Sequence, residues 1–153
     1  MGKTPHLPLV IPVYNEEHDL PQLFVKLRDA LGPLDHEVIF VNDGSRDGSF
    51  NVLRETTSTE PRFRALDFRR NFGQTAAINV GIQHAGGEVI VIMDSDLEND
   101  PADIPALLAR SDEGFDVVSG WRRDRWKGRF LTRKLLRRTR CSASPVSRLG
   151  FAR

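Results

Sequence analysis

The sequence VIVIMDSDLENDP at residues 89–101 joins a short apolar run to three closely spaced carboxylates. Residues 89–93 are apolar, rich in β-branched side chains and preceded by Gly86 and Gly87. This predicts a buried strand, because a buried helix would need at least twice that length. Asp94, Asp96 and Glu98 follow at alternate positions. In extended backbone, residues i, i+2 and i+4 share one face, so three like charges would converge on a small volume, which costs free energy unless a cation neutralises them. Hard oxygen ligands suit Mg²⁺ or Mn²⁺, ions that commonly bridge protein carboxylates and phosphates. The alternative is a solvated acidic loop that caps the next helix; strand-end position and spacing together favour the cation.

Working outward, the same grammar repeats. Residues 7–13 (LPLVIPV) read as a strand with Pro8 near its start. An amphipathic run from Asp19 places Leu20, Leu23, Phe24, Leu27 and Leu31 at helical spacing and stops at Gly32-Pro33. Residues 37–41 form a second strand, with Asp47 or Ser49 able to cap a helix over 50–57. A third strand over 63–68 and a helix over 74–84 precede the strand at 89–93. Pro101 opens a helix through Leu108, and 115–119 reads as a fifth strand. Four strand–helix repeats with short connections predict an α/β fold, a mostly parallel sheet with helices on both faces. In such a sheet, ligands bind beyond the carboxyl ends of the strands. Polar clusters sit at those ends: residues 14–16, 42–45, 69–74, 94–98 and 121–125. No GxGxxG follows the first strand and no GxxxxGK[ST] occurs, which disfavours a dinucleotide-binding fold and a P-loop.

The chain of 153 residues, 39% hydrophobic, suffices for one domain with a real core. A single cysteine, Cys141, rules out an internal disulfide framework. The N-terminus lacks an apolar signal-peptide core, and no apolar run approaches the roughly 20 residues of a membrane span. The net charge of +1 conceals an asymmetry: residues 121–153 carry 12 Lys and Arg against Asp124 alone, leaving 10 basic and 20 acidic residues in 1–120. A basic tail on an acidic body suits an anionic partner such as lipid headgroups, phosphate or nucleic acid, or else is a solvated end. Nucleic acid is disfavoured because Trp121, Trp126, Phe130 and Phe151 lack the interleaving of a stacking platform. His6, His18, His36 and His84 are scattered and read as surface or helix-end residues.

Five motifs in order, VIPVYNEE at 10–17, VNDGSRDGS at 41–49, NFGQTAAINVG at 71–81, MDSDLENDP at 93–101 and VVSGWRRDR at 117–125, resemble the catalytic domain of family-two inverting glycosyltransferases. The closest likeness is to the polyprenyl-phosphate branch, including dolichyl-phosphate and undecaprenyl-phosphate sugar transferases, and it covers about residues 7–135. The resemblance implies a Rossmann-like GT-A nucleotide-sugar-binding domain over 1–136, incomplete on the acceptor side, followed by a basic tail over 137–153. It implies that Pro12, Tyr14 and Glu16 line a nucleotide pocket, with Glu16 placed for a ribose hydroxyl. Asp43 would accept from a nucleobase N–H, and Asn71 and Gln74 would stand at a helix start that attracts anions, although Asn71 has capping as its alternative. Asp94 would approach the donor, and Asp96 would hold the metal with Glu98, where the branch usually has Gln. Arg122 and Arg133 match basic positions suited to a lipid phosphate; Arg137 replaces a usual Ser. The implied reaction moves a hexose-type sugar, with inversion and metal assistance, from a UDP or GDP sugar to a polyprenyl phosphate. The implied place is the cytoplasmic membrane face, peripherally on its anionic surface. A non-catalytic nucleotide-sugar-binding fragment is the alternative.

Overall fold

The apolar runs form strands because their alternate side chains can bury on two faces at once. In the computed structural model, which describes residues 6–120, β1 (Leu7–Val13), β2 (His36–Asn42), β3 (Phe63–Asp67) and β4 (Val91–Ile92) pair in parallel in the order β3-β2-β1-β4. β1 and β2 align from Leu7 with His36 to Val13 with Asn42. Both are buried nearly throughout. That is the signature of central strands covered on both faces.

The covering follows the strand period. Phe40 of β2 turns to α1 (Leu20–Leu31), where its ring meets Phe24 edge-on at 5.3 Å, and Phe63 closes the triad at 5.6 Å. Its neighbours Ile39 and Val41 point the other way, onto Ala77 of α3 (Gln74–His84). On β1, Val10 fits against Gly81 of α3 so closely that a Cβ there would lie 2.3 Å from Val10 Cγ1. α2 (Ser49–Thr59) joins β2 to β3. Connections β1-α1-β2-α2-β3 run outward in one direction, and α3 then carries the chain back across to β4 on the far side of β1. The order therefore reverses between β1 and β4, which makes a crevice at their carboxyl ends.

Several expectations need correction. Only Val91 and Ile92 of the expected strand 89–93 enter the ladder, pairing with Leu9 and Val10. β4 has one neighbour among the described residues, and Ile92 stays 49% exposed. The expected helix 101–108 is a 3-10 turn, Pro101–Asp103, followed by α4 (Ile104–Ser111). Residues 115–119 form no ladder among the described residues, and Phe115 and Val117 are exposed; apolar content makes a strand only where a partner satisfies its backbone groups. His36 is buried, with Nδ1 2.9 Å from the Leu34 carbonyl. The chain divides into units Met1–Ile104 and Pro105–Arg153. In the second, Arg110 pairs with Glu113 at 2.8 Å. The expected boundary at residue 136 lies outside the described residues.

Candidate functional site

At the reversal point lies an open cleft of about 340 Å³. One wall comes from the end of β1 (Pro12, Val13, Tyr14, Glu16), the floor from Asp43 after β2, and the far side from Asn71 and Gln74. Asp94, Ser95 and Asp96 close it from β4. Four successive strand ends thus supply every residue expected to touch a nucleotide. Val13 and Ser95 were not expected.

The β1 and β2 loops hold each other. Asn15 N–H donates to Ser45 Oγ at 3.0 Å, and Arg46 N–H returns a bond to Asn15 Oδ1 at 2.9 Å. Glu16 N–H donates to Ser49 Oγ at 2.9 Å, Glu17 N–H to Asp47 Oδ2 at 3.2 Å, and Gly48 N–H to Glu17 Oε2 at 2.9 Å. Asn15 takes φ 58°, a left-handed conformation that Asn tolerates better than most residues. Burial pushes the Asp47 carboxyl up, but bonds from Ser49 Oγ–H, Ser49 N–H and Glu17 N–H outweigh it and leave Asp47 below its ordinary value.

Asp43 has a second task that the sequence did not disclose. Only 2% exposed, its carboxylate accepts from Phe72 N–H at 2.7 Å and Gly73 N–H at 2.9 Å. These bonds fix the turn that carries Asn71 and Gln74 into the cleft. Gly44 is needed beside it: with φ +65°, a Cβ there would fall 2.3 Å from the Arg70 carbonyl carbon. Asn71 stands two residues ahead of the α3 N-cap, Gly73, so capping is not its role. Gln74 Nε2–H donates to Asp94 Oδ1 at 2.7 Å. Ser95, buried between the two aspartates, donates from Oγ to the Pro12 carbonyl at 3.0 Å and ties the β4 end to β1. The small hydroxyl in Asp-Ser-Asp was the available signal for it.

The alternation of three carboxylates does not survive folding. The chain bends at 95–99, and Leu97 adopts φ 59°. Glu98 N–H donates to Asp96 Oδ1 at 3.0 Å, and Glu98 is not among the residues lining the cleft. Among the described residues no three His, Cys, Asp or Glu side chains form a group that could hold a metal ion. Asp94 and Asp96 remain in the cleft together, and they suit an ion shared with a ligand, since Mg²⁺ commonly takes one or two carboxylates, waters and phosphate oxygens.

The cleft is acidic. Glu16, Asp43, Asp94 and Asp96 line it, and no Lys, Arg or His does so among the described residues. Burial raises the Glu16 carboxyl above its ordinary value, as do a bond to Asp19 and the charges of Asp19, Asp96 and Asp47. A polyphosphate beside these carboxylates would be repelled by them unless positive charge offset their field. Arg122 and Arg133 lie outside the described residues.

The family model described as "Glycosyl transferase family 2" matches residues 9–150. An undecaprenyl-phosphate 4-deoxy-4-formamido-L-arabinose transferase of Pseudomonas fluorescens (strain Pf0-1) is 44% identical over 120 residues, covering 76% of this chain and 35% of that protein. The enzyme of the same name from Pseudomonas syringae pv. syringae (strain B728a) is 38% identical over 143 residues, 86% and 42% of the two chains. The chain thus spans well under half the length of these relatives. Among solved structures, mannosyltransferase PcManGT from Pyrobaculum calidifontis, in complex with GDP-Man and Mn²⁺, superposes with TM-score 0.52 at 27% identity over 68% of this chain and 31% of that one. S. aureus TarS in complex with UDP gives TM-score 0.55 at 23% identity over 71% and 32%, a likeness of fold.

Proposed function

The chain belongs to glycosyl transferase family 2, and from that premise we propose that its cleft binds a nucleoside-diphosphate sugar, UDP- or GDP-linked, for transfer to a polyprenyl phosphate. The observation that carries this reading is a cleft at the strand-order reversal that, among the described residues, is lined by four carboxylates and no cationic side chain. The relatives' printed activity, on undecaprenyl phosphate, supports the acceptor. The neighbour holding GDP-Man and Mn²⁺ supports the donor and the ion.

In this reading the nucleoside lies along Pro12 to Glu16, with Glu16 accepting from a ribose hydroxyl. Asp43 holds the opposing turn and keeps lone pairs for a base N–H. Asp94 and Asp96 would hold a Mg²⁺ or Mn²⁺ ion, which when bound supplies charge neutralisation for the diphosphate. Gln74 orients Asp94, and Ser95 holds both aspartates against β1. An acceptor phosphate oxygen attacks the anomeric carbon from the face opposite the diphosphate. The carbon–oxygen bond to the nucleoside diphosphate breaks with its electron pair leaving on that oxygen, and the configuration inverts. The attacking phosphate is already anionic, so no general base is required; Arg122 and Arg133 would hold it. Because the acceptor is a lipid, the chain would work peripherally at the cytoplasmic membrane face, on an anionic surface. No helix among the described residues is long and apolar enough to cross a membrane.

Calorimetry with UDP- and GDP-sugars tests this directly. Binding should require Mg²⁺ or Mn²⁺ and fall sharply in Asp96→Asn, and any transfer to polyprenyl phosphate should drop on the order of 10²–10³-fold. Donor binding that ignores both EDTA and the substitution overturns the reading.

A further inference from the structure

A second cavity, of about 450 Å³, opens at the carboxyl ends of β2 and β3, where Gly44 and the Arg70–Asn71 backbone approach closely. Its character is opposite to that of the acidic cleft. Arg46, Arg69 and Arg70 line it, with Phe50 and Phe68 as apolar walls. The one carboxylate on its wall, Asp67, accepts from Asn42 Nδ2–H at 2.7 Å.

Pairing elsewhere shows how unusual this is. Lys26, Arg28, Arg62, Arg64 and Arg110 each have a carboxylate oxygen within 4.0 Å. Among the described residues the cationic side chains without one are Arg46, Arg54, Arg69 and Arg70, and all but Arg54 line this cavity. The Arg70 guanidinium lies 4.7 Å from the Phe72 ring centroid, which steadies it but leaves its charge uncompensated. Three exposed guanidiniums lining one cavity, none with a carboxylate oxygen within 4.0 Å among the described residues, suit a bound anion with several oxygens.

We propose that this cavity is an anion site for a phosphate-bearing ligand, distinct from the acidic cleft, in which Arg46, Arg69 and Arg70 hold the phosphate while Phe50 and Phe68 receive the organic part. The phosphate is either lipid-borne or soluble. The site communicates with the cleft through Asn71, which lines both, and through the Asp43 bonds to Phe72 and Gly73.

The test uses the full chain without donor and with EDTA, so its outcome is independent of the glycosyl-transfer reading. Inorganic pyrophosphate is titrated at low ionic strength into the wild type, the Arg46→Gln/Arg69→Gln double variant and Arg54→Gln. The double variant should lose affinity about tenfold or more, and Arg54→Gln less than about twofold. Sedimentation with phosphatidylglycerol against phosphatidylcholine vesicles separates the sources: a double-variant defect on the anionic vesicles marks a lipid phosphate, and a defect with pyrophosphate alone marks a soluble one. In the wild type, pyrophosphate should also shift the amide resonances of Ser45, Phe68 and Arg69, which needs no variant to fold. Pyrophosphate that leaves those resonances in place, or that binds the double variant as tightly as the wild type with vesicle binding equally unchanged, overturns the proposal.

Discussion

The two sides of the acidic cleft are secured differently. On the β2 side, the loops after β1 and β2 exchange five hydrogen bonds, and the strands beneath pair over seven residues. On the β4 side, the ladder is two residues long, and the segment 94–96 is tied to β1 mainly by Met93 N–H to the Val10 carbonyl at 3.1 Å and by Ser95 Oγ–H to Pro12. A wall with many small restraints tolerates the loss of any one. A wall with fewer ties to its neighbouring strand tolerates that loss less well, yet it carries the aspartates proposed for the ion. The β2 side, proposed for the nucleoside, is therefore held by more loop contacts than the β4 side, proposed for the diphosphate.

The core beneath the firm side should give the largest effect. Phe40→Ala removes a fully buried ring from the Phe24–Phe63 triad and should cost about 3–5 kcal/mol in urea denaturation. Ile92→Ala, on half-exposed β4, should cost less than about 1 kcal/mol. Equal costs would erase the contrast between the two sides. Next comes Asp43→Asn, which sets an amide against two backbone donors and should destabilise by about 1.5–3 kcal/mol. It should weaken donor binding through the 71–74 turn. Amide exchange at Phe72 and Gly73 reports this, and protection that stays at wild-type level would count against the role.

A closer comparison pairs two serines. Ser95→Ala and Ser49→Ala should each cost about 1 kcal/mol. Ser95→Ala alone should weaken Mn²⁺-dependent donor binding several-fold, because the other loop bonds remain when Ser49 is lost. Similar donor affinities in the two variants would mean that the β4 side is held by more than these contacts.

The smallest effect has the opposite sign. The Glu16 carboxyl is raised by burial and by its carboxylate neighbours, so its ionisation costs stability once pH exceeds the raised value, and that cost is absent below the ordinary carboxylate range. Glu16→Gln should stabilise the ligand-free chain at neutral pH and lose that gain as pH falls through the carboxylate range. Solvent screening keeps it within about 0.5 kcal/mol. A thermal-shift series against pH showing the gain at acid pH instead would reverse the assignment.

By itself, the sequence determined the alternation of strands and helices, since the period of apolar residues is local and survives without a partner. It also determined that polar clusters sit at strand ends, and nearly all the cleft residues were legible from those clusters. Tertiary structure alone decided the rest. That β4 lies beside β1 rather than β3, which makes the crevice, is a pairing across some eighty residues, and no local pattern encodes it. The strand expected at 115–119 misled for the same reason, because apolar composition does not supply a ladder. Spacing placed Glu98 with Asp94 and Asp96 on the assumption of extended backbone, and the left-handed Leu97 removed that assumption. The direction of the Asp43 carboxylate, towards two amide groups thirty residues away, and the gathering of Arg46, Arg69 and Arg70 around one cavity depend on how separate loops meet. Side-chain direction and loop contact are set by packing, and periodicity carries neither.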